Sequence, residues 1–600
     1  MSKPDLKPDD DCACGSGRRY GDCHGPIFAA PRGKAVEVAQ EIYAREWGVN
    51  ADHYVTEGLY AALAAELVEA GDVVRVLDIG CGLGQGLEAL SAAIPQRDRL
   101  IAGIDENPHC LADAATRLEL APEAVASARL QWKLGMKRYD TVPAPAAIVV
   151  QGDRVLINAD VLVKDVAFQL WLRDNGPFDA VTLWFTGGHK ARSMTKVAQR
   201  ISARGDEDFR WAIEDEAMKI ALRHLRPGGL IQIVVRGAGD IDGHRREVEA
   251  DRRRAIAGSP IELVAVRAYP YVEPVSPGAI VMRGSGGTHI PGQQMAISTL
   301  LRARELSTEA ATGGLFAVVN RTPFNIAPER AQVLAGEVFG TGEWTITPLG
   351  SKAEFWARVD QKSVYVTWAG LASLWCVAYV AYSVMQMGSL SSRAPEAKSV
   401  TGVDFANQWH DLNLQGYVDY AKRLVREDRS WPPGLGVPDA QASPTSHEGK
   451  INNLFFGALS WILLHEIGHV HHGHDPFLPA DQMVRQEIQA DDFATSWVLD
   501  DAGSGLDREF RALMVITALA WLFLFESVGG QGPTHPPVIQ RFRAATAKFD
   551  LGERSPALEN GSYLLKALFD PAGSPPSKRP TPRQAFDWMA QRLEILFPVR

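Results

Sequence analysis

Cysteine is scarce and unevenly placed. There are 6 in 600 residues, and Cys12, Cys14 and Cys23 crowd into the first two dozen positions. Cys81, Cys110 and Cys376 stand apart in apolar or mixed surroundings. No disulfide framework can be drawn from this pattern, and it fits a reducing compartment. The opening stretch, MSKPDLKPDDDCACGSG, lacks the apolar core of a secretory signal, so a cytoplasmic location is expected. Basic excess is also missing. Lys and Arg total 62 against 72 Asp and Glu, a formal net charge of -10. General nucleic-acid binding is therefore disfavoured, because it needs clustered cations to displace counterions. There is no internal repeat and no heptad run.

What is present is ample material for several cores. Apolar residues make up 46% and charged residues 22%, ordinary for globular protein, and the length suggests two to four domains. From about Ala35 to Met282, strand-like runs alternate with helical patterns, which predicts an α/β domain with a parallel sheet. The expected strands are Val73–Ile79, Leu100–Ile104, Val155–Asn158, Phe178–Leu183 and Leu230–Val235. Ile261–Tyr269 and Ala279–Met282 are expected to form an antiparallel hairpin at the sheet edge. Arg283 to Gln294, RGSGGTHIPGQQ, reads as a linker, and the remainder reads as mostly helical. Ser363 to Ser392 holds no charged residue. It is long enough to span a bilayer, but its Thr, Ser, Gly and Gln content favours a strand running into a buried helix.

The sharpest signal is FFGALSWILLHEIGHVHHGH, Phe455 to His474. On one helix His465 and His469 are four apart, so both imidazoles leave the same face and can grip one zinc ion. Glu466 lies beside them, placed to take a proton from the attacking water and pass it to the leaving amine. EIQADDFA then offers Glu487 as a third ligand, leaving a fourth position open. Asp491, one turn on, is placed to accept a hydrogen bond from a ligand imidazole and set its tautomer. HExxH followed by ExxxD resembles the gluzincin metallopeptidases. With THPPVIQRF downstream, the set is similar to the Lit-type phage-exclusion peptidases and related zinc peptidases, over roughly Phe316 to Phe549. The resemblance implies that His535 and Arg541 lie near the active site as catalytic residues. For His535 an oxyanion donor and a plain turn residue remain open. It also implies a protein substrate, a translation component among the candidates. His471 and His472 read as solvated or supporting, and His474 has no clear role.

VVRVLDIGCGLGQG, Val73 to Gly86, is a strand ending at Asp78 followed by a glycine-rich turn. Gly80, Gly82 and Gly84 let a ligand approach the backbone closely. A second acid, Asp105, ends the next strand, where it can hold both ribose hydroxyls. This pattern resembles class I S-adenosylmethionine-dependent methyltransferases. The resemblance implies that Asp160, in INADVL, meets the adenine amino group. After the fourth strand comes FDAVTLWFTGGHK, without the Pro-Pro-Tyr of base amino-methyltransferases. The chain also lacks the Pro-Cys nucleophile of cytosine C5 methylation. The methyl acceptor stays open, and His189 is a candidate base or a solvated loop residue.

CACGSGRRYGDCHG places Cys12, Cys14, Cys23 and His24 as C-x-C-x8-C-H, four ligands for a closed structural zinc site. It resembles the SEC-C motif, which implies a protein- or ribosome-docking module. The expected architecture is multidomain, α/β plus mainly α. A zinc knot occupies 8–27, a Rossmann-like seven-stranded methyltransferase domain 35–284, a linker 285–295, and a mostly helical zinc metallopeptidase domain 296–600. Two zinc ions and S-adenosylmethionine are the expected cofactors. The expected function is a cytoplasmic enzyme joining a zinc endopeptidase to a methyltransferase, acting in phage defence. The alternative is a peptidase whose other parts only sense the cofactor or dock a target.

Overall fold

The computed structural model describes residues 6–12, 18–96, 98–203, 205–257, 259–276, 278–282, 293–339, 345–392, 408–573 and 580–599. The chain divides into two units, Met1–Glu305 and Leu306–Arg600.

The first unit is built on an eight-stranded sheet. Its strands are β1 (Arg75–Ile79), β2 (Leu100–Asp105), β3 (Val125–Ala126), β6 (Arg154–Asn158), β7 (Phe178–Trp184), β8 (Leu225–Gly239), β9 (Ile261–Tyr271) and β10 (Gln293–Ala303). A separate hairpin pairs β4 (Leu130–Leu134) with β5 (Tyr139–Pro143). The order is β3-β6-β2-β1-β7-β8-β10-β9, with β10 antiparallel to both neighbours. Without the two-residue β3, this is a seven-stranded Rossmann-like sheet. The five central strands are parallel and apolar on both faces, as a sheet covered by helices must be. Val76, Ile101, Leu156 and Ala180 enter one core, while Leu77, Ala102, Ile157 and Val181 enter the other. Register pairs Leu77 with Ala102 on one side and Val181 on the other. Order reverses at β1, so the crevice beyond the ends of β1 and β7 is where such a sheet takes a ligand.

The edge differs from expectation. Ala279–Met282 is not a strand, and β9 pairs instead with β10, inside what reads as linker and second-domain sequence. Residues 283–292 lie outside the described residues. The reason is burial. Met295, Ala296 and Ile297 are fully buried against β8 and β9, and the sheet's last apolar faces would be exposed without them. The boundary thus falls at Glu305 rather than near residue 285.

The second unit is mostly helical. Its main helices are α1 (Trp368–Ser392), α2 (His447–His471), α3 (Ala480–Leu499), α4 (Leu506–Gly529), α5 (Val538–Thr546) and α6 (Pro556–Phe569). A three-stranded sheet, β11 (Thr345–Pro348), β13 (Ser363–Val366) and β12 (Phe355–Arg358), lies in that order beside them. Trp368–Gly388 and Leu506–Gly529 are long and apolar enough to cross a membrane, with 83% and 67% of their windows buried inside the fold. Both contribute to one core shared with α2, so the uncharged run is a strand followed by a core helix.

Candidate functional site

Helix α2 starts at Ser446, whose hydroxyl accepts from Gly449 N at 3.0 Å. It is buried almost all round, from Ile451 to Gly468. Its last turns carry His465, Glu466 and His469. Packed against it, α3 carries Glu487 and Asp491 one turn apart, both buried.

These elements bring together the three side chains whose spacing suggested a metal. His465 Nε2 is 3.3 Å from Glu487 Oε2, and His469 Nε2 is 3.4 Å from Glu487 Oε1. The two Nε2 atoms are 3.2 Å apart, and one ligand atom from each of the three residues falls within 4.8 Å of the others. Glu487 Oε2 is buried, with His465 Nε2 as its polar neighbour. Two imidazole nitrogens and a buried carboxylate converging on one point suit a divalent cation of zinc's size and preference for N and O ligands.

Around this centre the charges are ordered. His465 Nδ1 lies 2.9 Å from Asp491 Oδ1. Asp491 in turn receives both guanidinium nitrogens of Arg541, from α5, at 2.6 and 2.7 Å. Arg541 therefore grips Asp491 beside the metal-ligand cluster, where the resemblance places it. Burial opposes charge on His465, but bonding to Asp491 and Glu487 outweighs it and pushes its pKa up to about 10. Burial likewise opposes ionisation of Glu487, yet its histidine neighbours hold it down at about 2. Glu466 is raised to about 7, mainly by burial. His535 is half exposed, with Nε2 3.4 Å from Glu487 Oε1. His471 and His472 point outward, whereas His474 is buried.

In the first unit the glycine-rich turn takes the backbone the sequence requires. Gly80, Gly82 and Gly84 have φ of 77°, 54° and 88°. A Cβ on Gly84 would lie 3.0 Å from Ala114 Cβ. Asp105 Oδ2 accepts from Gly82 N at 2.9 Å, and Oδ1 from Asn107 N at 2.8 Å. Asp78 accepts from Thr182 Oγ1 at 2.6 Å. Burial raises Asp78 to about 7 and Asp105 to about 6. The helix Ala35–Thr56 lies over the turn, with Gln40 on Glu106 at 2.8 Å and Trp47 against Gly82.

Asp160 lies in a buried ion pair. Both its oxygens bind the buried guanidinium of Arg192, at 2.7 and 3.0 Å. Glu106 and Arg192 were missed in the sequence, and only the adjacency of Glu106 to Asp105 could have flagged either. Glu106 is raised to about 7 by burial, and His189 Nε2 lies 3.3 Å from its Oε1. His189 is buried rather than solvated, and burial lowers it to about 3.

At the N-terminus, Cys12 Sγ is 3.2 Å and Cys23 Sγ 3.5 Å from His24 Nδ1. Cys14 lies outside the described residues. Lys190 Nζ donates to Cys23 Sγ at 2.8 Å, and Arg18 pairs with Glu46.

Comparison with known proteins follows this division. Residues 364–561 match the family model described as Peptidase U49. Among individual proteins, the chain is 26% identical over 267 residues to the cell death peptidase of Escherichia coli (strain K12), covering 42% of this chain and 87% of that one. Solved structures similar to part of the chain include methyltransferases. NodS from Bradyrhizobium japonicum WM9, in complex with S-adenosyl-l-homocysteine, is 12% identical with TM-score 0.22, covering 41% of this chain and 85% of that chain. Precorrin-6y C5,15-methyltransferase from Geobacter metallireducens GS-15 is 13% identical with TM-score 0.21, covering 41% and 89%. At such scores it is the strand order of the sheet that defines the fold.

Proposed function

We propose that the second unit is a zinc-dependent endopeptidase and that the first binds S-adenosylmethionine in the crevice at β1. The observation that carries the peptidase reading is the convergence of His465, His469 and Glu487 with Glu466 beside them, inside a Peptidase U49 match. Zinc, when bound, polarises the scissile carbonyl and acidifies water. The protein's part is to hold and move protons. Glu466 takes one from the attacking water and returns it to the leaving amine. His465 stays oriented by Asp491, and Asp491 stays ionised by Arg541. His535, half exposed beside Glu487, is positioned to donate to the developing oxyanion. The knot at Cys12, Cys23 and His24, with Cys14, holds a second, structural zinc. Similarity to a cell death peptidase supports the peptidase reading. A cytoplasmic protein substrate, a translation component among the candidates, and a role in phage defence belong to the same proposal.

For the first unit, Gly80, Gly82 and Gly84 face the cofactor, Asp105 holds its ribose, and Asp78 supplies negative charge. A second reading has an observation in its favour. Asp160 is locked by Arg192, so adenine recognition through its carboxylate competes with a buried ion pair, which suits a module that senses the cofactor without transferring methyl. Methyl transfer from labelled cofactor separates the two.

The peptidase reading is tested with Glu466→Gln. The amide cannot accept a proton, so cleavage of a protein substrate is abolished while zinc content at the site is retained. Wild-type proteolysis by the purified variant would refute it.

A further inference from the structure

Helix α2 ends in a way that gives one metal-facing imidazole a partner of its own. Gly473 adopts φ of 62°, the left-handed conformation that reverses the chain after a helix. Gly473 N bonds Val470 O at 3.1 Å, and His474 N bonds His469 O at 3.0 Å. This paired closure returns the chain onto the last turn. It delivers His474 Nδ1 to 2.9 Å from His469 Nδ1, and His474 Nε2 to 3.2 Å from Gln489 Oε1 on α3. His474 itself is 7% exposed, while Gln489 stands on the exposed side of α3, so the contact closes from solvent over the buried ring.

Resting on the metal-site reading above, we propose that His474 and Gln489 form a neutral relay that positions His469 as a zinc ligand. The tautomers follow from chemistry. A ligand lone pair on His469 Nε2 places the ring proton on Nδ1, which donates to His474 Nδ1. That leaves the His474 proton on Nε2, which donates to the Gln489 amide oxygen. Each atom has one role and no donor faces a donor. The two ligand histidines are thus supported unequally. His465 leans on the charged Asp491–Arg541 pair, and His469 leans on a pair without charge. A carboxylate behind both rings would add negative charge to the site and weaken the electrophile, whereas a neutral relay fixes the second ring without doing so.

The test uses the full-length protein with cobalt(II) and zinc as probes. Cobalt distinguishes this centre from the N-terminal knot, since only thiolate ligands give a sulfur-to-cobalt charge-transfer band. In competition with a metal-buffering chelator, His474→Ala is expected to weaken zinc at this centre about 10- to 100-fold. Gln489→Leu is expected to do the same to a smaller extent. His474→Gln, whose amide oxygen can accept from His469, recovers part of the loss. The thermal midpoint of the metal-free protein stays at the wild-type value in His474→Gln, separating ring positioning from folding. Wild-type zinc affinity in His474→Ala, with the wild type itself binding tightly, would overturn the relay. A wild-type chain that holds no zinc at this centre would remove the metal-site reading and the relay with it.

Discussion

At the scale of single residues, the centre in the second unit is a set of charges that tolerate burial only together. Asp491 is buried, and two guanidinium bonds from Arg541 and one contact to His465 keep it ionised, well below the usual carboxylate range. Burial alone would push it the other way. Arg541→Ala strands that carboxylate. We expect a loss of about 3–5 kcal/mol in unfolding free energy, read by urea denaturation, because a buried charge loses its partner. Arg541→Lys restores charge but not the two-pronged geometry, and recovers only part. A variant as stable as wild type would mean that Asp491 takes up a proton at no cost.

The acids of the first unit behave in the opposite sense. Asp78, Asp105 and Glu106 sit at about 7, 6 and 7, raised by burial, against unfolded values of about 4. The folded, ligand-free protein therefore holds protons that the unfolded chain has released, and this contribution to stability grows as pH falls from about 7 toward 4. A cationic methionyl ligand needs the ionised acids, so its affinity should fall over the same interval. Calorimetry with S-adenosylmethionine at pH 8 and pH 6 should show weaker binding at the lower pH, with proton release on binding. Affinity that does not change with pH would show that these carboxyls do not face the ligand.

At the scale of elements, the N-terminal knot is less of a separate module than its sequence implies. Ile27, in the short helix after His24, packs with Val36, Ala39, Ile42, Tyr139 and Ala191. Lys190 donates to Cys23 and adjoins His189, while Arg192, two residues on, holds Asp160. The knot is therefore fastened to the loop that follows β7. Replacing Cys12 and Cys23 by Ser should lower the thermal midpoint of the first unit and weaken S-adenosylhomocysteine binding, measured by calorimetry. Unchanged binding would return the knot to the status of a docking appendage. The Pro-rich segment Ser430–Thr445 is likewise anchored. Trp431 is among the largest fully buried side chains, with its indole N–H donating to Leu435 O at 3.1 Å, and Asp439 O accepts from Asn452 on α2 at 2.7 Å.

At the scale of the whole molecule, two units with separate cores imply two responses to two ligands. Heating is expected to show two transitions. S-adenosylhomocysteine should raise one and leave the other in place, because a ligand stabilises only the unit that binds it. Mild 1,10-phenanthroline should strip the centre at His465, His469 and Glu487, which has an open position, and end proteolysis. The knot, with four protein ligands, keeps its zinc. Metal analysis should give two zinc ions per chain before treatment and one after. A single zinc lost with the Cys12 and Cys23 changes would show the HExxH helix to be metal-free.

Local chemistry was legible in the sequence wherever a motif is short and its geometry rigid. His465 and His469 share a face because a helix repeats every 3.6 residues, and Gly80 to Gly84 announce a turn because only glycine reaches positive φ without cost. The parallel strands declared themselves by runs apolar on both faces. Tertiary structure decided the rest, since it depends on residues far apart in the chain. It joined Arg541 to Asp491 across 50 positions and Arg192 to Asp160 across 32. It drew Gln293–Ala303 into the first sheet, because burial of a strand edge outweighs the glycine-rich sequence just before it. It also folded His474 back onto His469, through a helix end whose hydrogen bonds no pattern of histidines discloses.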